Sequence, residues 1–177
     1  MSLLLIVDGY NVIAPVAGPG RSPDADWLQV ERKRLIRRLC EHLPESVRQR
    51  TCVVFDARCP PRNRAHQYTV GGMEVRFAVE QVEADDLIEE LITQHTAPKQ
   101  LAIVSADHRI QNAAKRRGAI AFDSQPWLDA LLEGKPQLAI VVESASEERA
   151  GQGSGKPSGG MPQEEVERWL REFGFEP

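Results

Sequence analysis

The chain has 177 residues, 22 Lys plus Arg against 26 Asp plus Glu, and a formal net charge of −4. That length suits one domain with a tail, and a 41% hydrophobic share can bury a core, which excludes disorder of the whole chain. The acid excess argues against a nucleic-acid binder that works by bulk positive charge, though a local basic patch stays open.

The opening apolar run, residues 3–7, is five residues long, has no basic flank and stops at Asp8. A signal peptide needs a longer apolar core, and a membrane span needs about 20 apolar residues. Cys40, Cys52 and Cys59 are odd in number and form no C-x-x-C pair, which disfavours a disulfide framework or a zinc knuckle. The expectation is a reduced, cytoplasmic protein that does not enter a membrane.

In chain order, short apolar runs alternate with helical spacing, the pattern of an α/β fold with a mainly parallel sheet of about five strands. The strands fall at residues 3–7, 51–55, 73–77, 101–104 and 119–122, with 138–142 a candidate sixth. Several are apolar throughout, as strands covered on both faces are. The spacing predicts a helix over 27–43, with Trp27, Val30, Ile36, Leu39, Cys40 and Leu43 inward and Pro44 after it. Another spans 84–93, with Leu87, Ile88, Leu91 and Ile92 on one face. A third, 107–117, carries Ile110, Ala113 and Ala114 inward and stops at Gly118. A fourth covers 126–132, opening on Pro126.

Residues 144–162 shift in composition, with five glycines between positions 151 and 160, and read as a flexible linker. Within 163–177, Val166, Trp169, Leu170 and Phe173 take amphipathic helical spacing. The expected organisation is therefore a domain over 1–143, the linker, and a C-terminal helix.

The acids are placed with a pattern. Asp8 follows the first strand, Asp56 the second, Asp107 comes three residues after Val104, and Asp123 follows Phe122; Glu83, Asp85 and Asp86 open a helix. Ligand sites of open α/β sheets lie outside the carboxyl ends of the strands, so a parallel sheet gathers these groups at one edge. Any one of them alone reads as readily as a turn residue or helix N-cap, Asp107 and Asp123 especially. Together, without a balancing cation, they suit a divalent metal, and oxygen-only ligation favours Mg²⁺ or Mn²⁺ over zinc. Phosphodiester hydrolysis is the matching reaction class.

Four stretches carry a resemblance: Leu5-Ile6-Val7-Asp8-Gly9-Tyr10-Asn11-Val12-Ile13, Val54-Phe55-Asp56-Ala57, Val82-Glu83-Ala84-Asp85-Asp86-Leu87-Ile88-Glu89, and Val104-Ser105-Ala106-Asp107-His108-Arg109-Ile110. Their order and spacing resemble those of the YacP-like branch of the NYN domain family, within the PIN-like nucleases, over about residues 3–143. The resemblance implies a three-layer α/β/α fold and a Mg²⁺- or Mn²⁺-dependent endoribonuclease, with mRNA at the ribosome among its substrates. It implies Asp8, Asp85 or Asp86, and Asp107 as metal ligands, with Asp56 a further acid of the site. Asn11 would orient Asp8 or touch a phosphate, and Ser105 would hold Asp107 or a water. It implies water as the nucleophile and no covalent intermediate. A non-cleaving RNA- or ribosome-binding module of the same fold is the rival.

A net acidic chain needs cations to meet phosphate. Arg58, Arg62 and Arg64, with His66 and Tyr68, leave the acidic edge and suit RNA, or else form a solvated loop with Tyr68 buried. Arg109 either reaches a phosphate or pairs with a carboxylate. The run Glu31-Arg32-Lys33-Arg34 with Arg37 and Arg38 reads as a solvated helix face.

Overall fold

A computed structural model describes residues 2–13, 25–56, 66–79 and 84–140 of the chain. Its strands are β1 (Leu5–Asp8), β2 (Thr51–Asp56), β3 (Gln67–Val70), β4 (Met73–Ala78), β5 (Ala102–Val104) and β6 (Ile120–Phe122). Its helices are α1 (Gly9–Ile13), α2 (Ala25–His42), α3 (Glu45–Arg48), α4 (Ala84–Gln94), α5 (His108–Arg117) and α6 (Ser124–Leu132), with a 3₁₀ turn at Pro98–Gln100. The strand order is β3-β4-β2-β1-β5-β6, and every neighbouring pair is parallel except β3 with β4.

Strand alternation sorts the core into two layers. Leu5, Val7, Val53 and Phe55 join a cluster with Leu35, Ile36 and Leu39 of α2 and Trp127 and Leu131 of α6. Ile6, Cys52, Val54 and Ile103 face the opposite way, onto Leu87, Ile88 and Ile92 of α4 and Ile110 and Ala114 of α5. This is a three-layer α/β/α fold. Trp127 is fully buried and donates its indole N–H to Gln137 O at 2.9 Å, which satisfies its polar end.

Among the described residues six strands are present where about five were expected, and the additional one is β3 rather than 138–142. Residues 138–140 carry no strand, and 141–142 lie outside the described residues. Tyr68, expected in a loop, sits on β3 with its ring stacked on Phe77, centroids 6.3 Å apart. The β3–β4 hairpin turns on Gly71 and Gly72, with φ of 56° and 85°. A two-residue turn of type I′ requires positive φ at both central positions.

Two expectations for α2 are corrected. Val30 is 50% exposed, while Arg32, read as part of a solvated face, is 3% exposed. Its guanidinium lies 5.4 Å from the Phe77 ring centroid, 5.8 Å from Tyr10 and 6.0 Å from Phe55. Cation–π attraction, strongest where water is excluded, makes such burial tolerable. α5 ends as expected at Gly118, which has φ 79°. Among the described residues no helix is long and apolar enough to cross a membrane. The linker and C-terminal helix expected over 144–177 lie outside the described residues.

Candidate active site

The chain winds outward from β1 in both directions, with β2 on one side and β5 on the other. Such a reversal opens a crevice at the carboxyl ends of the two strands that flank it. Asp8 ends β1 at this point, and Ser105 and Asp107 follow β5. Asp56 ends β2, two positions beyond Val54, which is the register partner of Asp8. Of the acids expected at one edge, Asp8, Asp56, Asp107 and Asp123 are placed there by the parallel order.

Asp8 is the only carboxylate among the described residues that is almost wholly buried, at 2% exposure. Neutral groups hold it. Asn11 Nδ2 donates to Oδ2 at 2.5 Å and Asn11 N to Oδ1 at 3.3 Å, while Ser105 Oγ donates to Oδ2 at 2.9 Å. Ser105 Oγ also accepts from Asp107 N at 3.0 Å, and Ser105 O accepts from Gln111 Nε2 at 2.8 Å. One hydroxyl thus ties β1 to the turn between β5 and α5. Gln111 was not singled out from the sequence; a glutamine one turn into a helix gives no signal of what it will bind.

Burial pushes the Asp8 carboxyl above the ordinary carboxylate range. The Asn11 and Ser105 hydrogen bonds oppose that shift, and the nearby Asp107 charge adds to it. Asp107 itself caps α5, accepting Arg109 N at 2.5 Å. The cap reading and the site reading are both realised in one side chain.

Gly9 sits where the backbone comes close to an aromatic ring. A Cβ there would stand 2.2 Å from the Phe55 ring, so only glycine lets the chain turn from β1 into α1 above that ring.

Arg109 takes the carboxylate alternative. Its Nη2 meets Asp86 Oδ1 at 2.7 Å and its Nε meets Glu89 Oε1 at 2.8 Å, so it straps α5 to α4. The hydrogen bonds it donates to Asp86 and then Glu89 raise its already high pKa. Asp85, beside Asp86 in the first turn of α4, is half-buried. Arg58, Arg62, Arg64 and Glu83 lie outside the described residues.

Of the four acids expected to ligate metal, the structure brings Asp8 and Asp107 together on Ser105 and engages Asp86 with Arg109. Among the described residues no three His, Cys, Asp or Glu side chains form a ready metal cluster. The chemistry of Asp8 and Asp107 still fits a hard divalent cation. Two neighbouring carboxylates, one of them desolvated and stabilised only by neutral donors, carry negative charge that an oxygen-seeking ion would offset.

A three-layer α/β/α sheet with its acids at the switch point defines a nuclease-type domain of the PIN-like class. The family described as the YacP-like NYN domain matches residues 5–170, and the chain belongs to that family. The match runs past residue 143 into the segments expected to be linker and C-terminal helix. Among solved structures, the crystal structure of Rae1 (YacP) from Bacillus subtilis is similar, with 26% identity, 76% of each chain covered and a TM-score of 0.55. A tryptophan-to-leucine mutant of Rae1 gives 26% identity, 76% of this chain and 77% of that chain covered, and a TM-score of 0.52. No curated protein gives a significant match.

Proposed function

We propose that this chain is a Mg²⁺- or Mn²⁺-dependent endoribonuclease that hydrolyses RNA phosphodiester bonds, acting in the cytoplasm on mRNA at the ribosome. One observation carries the reading: a buried carboxylate, Asp8, cradled by Asn11 and Ser105 beside Asp107, at the crevice between β1 and β5. Membership of the YacP-like NYN family supports RNA as the substrate class and a divalent metal as the cofactor.

Asp8 and Asp107, with Asp85 or Asp86 from α4, would hold the metal. A divalent cation bound there supplies positive charge to the phosphate oxygens as the leaving oxygen departs. The chain's own part is to fix the ligands. Asn11 and Ser105 lock the Asp8 carboxylate in one orientation, and Ser105 sets the backbone that presents Asp107. Arg109 keeps the first turn of α4 against α5, so that Asp85 and Asp86 stay at the same edge. Asp56 is a further acid of the site, and Arg58, Arg62 and Arg64, which follow it, meet the RNA phosphates. In hydrolysis, water adds its oxygen to phosphorus, one P–O ester bond breaks, and the displaced ester oxygen leaves as a hydroxyl.

The test incubates the full chain with labelled single-stranded RNA in Mg²⁺, Mn²⁺ or EDTA, beside Asp8→Asn, with and without ribosomes. Metal-dependent cleavage lost in Asp8→Asn is expected. RNA that binds but is never shortened would instead make the chain a non-cleaving RNA-binding module. Cleavage of an mRNA equally fast without ribosomes would remove the ribosome from the proposal while leaving the nuclease.

A further inference from the structure

Away from Asp8, on the α4 side of the sheet, lies a groove of about 280 Å³ lined by His66, Gln67, Arg76, Leu87, Glu90 and Leu91, among others. Topology puts one end of it at the acidic edge. Gln67 and Arg76 are cross-strand partners, and His66 O accepts Phe77 N at 2.8 Å. One residue on, Ala78 pairs with Asp56 at the carboxyl end of the sheet.

The facing wall is a single face of α4. Leu87, Glu90, Leu91 and Gln94 line the groove at i, i+3, i+4 and i+7. The first turn of that same helix carries Asp85 and Asp86. Glu90 stands four residues past Asp86, about 6 Å along the axis. A strand of nucleic acid held at the acids would pass this groove with its neighbouring nucleotide.

The lining suits a flat ring with a polar edge. Leu87 and Leu91 give an apolar floor. The His66 ring and the Arg76 guanidinium are planar, and Arg76 is held by Glu74 at 2.9 Å, which also accepts the Gln67 amide. Unpaired bases stack on such histidine and guanidinium planes, and their edges are read by amides and carboxylates. The volume lies just under the ~300–1,000 Å³ of pockets for drug-sized ligands, which suits one base. Glu90 supplies the selective element. Its Oε1 is fixed by Gln94 Nε2 at 2.8 Å, and an ionised carboxylate only accepts hydrogen bonds. It therefore favours a base whose edge offers an exocyclic amine over uracil, whose single edge donor, N3–H, is flanked by two carbonyl oxygens that a carboxylate repels.

We infer that this groove binds one unpaired, amino-bearing base of the RNA strand, next to the phosphate at the acidic edge. The inference rests on the nuclease reading for the strand's placement. Short labelled oligonucleotides of adenine, cytosine or uracil would be titrated against the full chain carrying Asp8→Asn, and against the same chain with Glu90→Ala or Leu91→Trp added. Adenine and cytosine oligomers should bind about tenfold tighter than uracil, the scale of one good base-edge contact. Glu90→Ala should erase that preference without weakening the uracil oligomer, and Leu91→Trp, which fills the groove, should weaken all three.

Equal binding of the three, unchanged by either substitution, would overturn the base site and leave the nuclease reading untouched. Cleavage by the unsubstituted chain is scored separately. A base preference that depends on Glu90, in a chain that cuts none of the oligomers with any metal, would remove the nuclease and keep the base site.

Discussion

The two ends of the sheet each bury a charge, and they treat it in opposite ways. At the amino end, Arg48 of α3 is buried, and its guanidinium donates to Gly71 O at 3.0 Å, Cys40 O at 3.0 Å and Leu43 O at 2.8 Å. Cys40 O and Leu43 O belong to the last turn of α2 and its exit, where carbonyls lack helical partners and a cation is favoured. At the carboxyl end, Asp8 has only neutral donors and another carboxylate for a neighbour. A buried charge whose surroundings carry opposite polarity holds the structure together. A buried charge left beside one of its own sign is strained until something positive arrives.

Asp8→Asn tests the strained end and should have the largest effect, a loss of metal-dependent cleavage of roughly a thousandfold or more. It should also stabilise the metal-free chain. Because burial raises the Asp8 pKa, the folded chain keeps that proton to higher pH than the unfolded chain does. Stability therefore falls as pH rises from the unfolded pKa through the folded one. In chelator at pH 7 the variant should melt higher than the unsubstituted chain, a gain that shrinks as the pH is lowered and Asp8 takes up its proton. A variant that melted lower at pH 7 would show that Asp8 is a structural charge after all.

Arg48→Met tests the satisfied end. It leaves three carbonyls without their donor, and the expected cost is about 3 kcal/mol, read as a lower urea midpoint. Cleavage per folded molecule should not change. A fall in cleavage with stability intact would erase the distinction between the ends.

The same contrast shows what the sequence could and could not reveal. Apolar runs that stop at an acid are local features, so Asp8, Asp56 and the region of Asp107 could be placed at one edge as soon as the strands were taken as parallel. Gly9 was legible for a similar reason, as a glycine between a strand and an asparagine-bearing turn. β3 was missed although Gly71-Gly72, between Val70 and Met73, is a hairpin signal; its polar residues lack a strand's apolar run. Arg32 was missed although it falls on the apolar stripe, four residues after Leu28 and four before Ile36. A charged residue on such a stripe reads as surface until the aromatic rings that cover it are known. The Arg109 bridge depends on α4 and α5 lying side by side, and no local pattern encodes that.

Ser105→Ala sharpens the comparison at smaller scale. Its hydroxyl touches Asp8 and the Asp107 backbone, so it positions both without touching the phosphate in this reading. A tenfold to hundredfold loss of cleavage is expected, about what losing a group behind a metal ligand costs. The Ser105 hydrogen bond holds the Asp8 pKa down, and its removal should move the acid limb of the pH–rate profile upward. A uniform loss with no movement of the profile would assign Ser105 a packing role only.

The smallest effect concerns two thiols set at the amino half of the sheet, one on each face. Burial pushes Cys40 up to about 11 and Cys52 up to about 12. Alkylation needs the thiolate, so neither should react at pH 8 faster than the chain unfolds, with peptide mass spectrometry as the readout. Above about pH 9 the unfolded chain releases thiol protons that the folded chain keeps, and stability should decline with rising pH. Cys52 is the sharper probe, because its register partners Ile6 and Glu74 belong to strands on both sides of it. Rapid alkylation of Cys52 in native buffer would mean that the sheet opens at its amino end. The satisfied end would then be as yielding as the strained one.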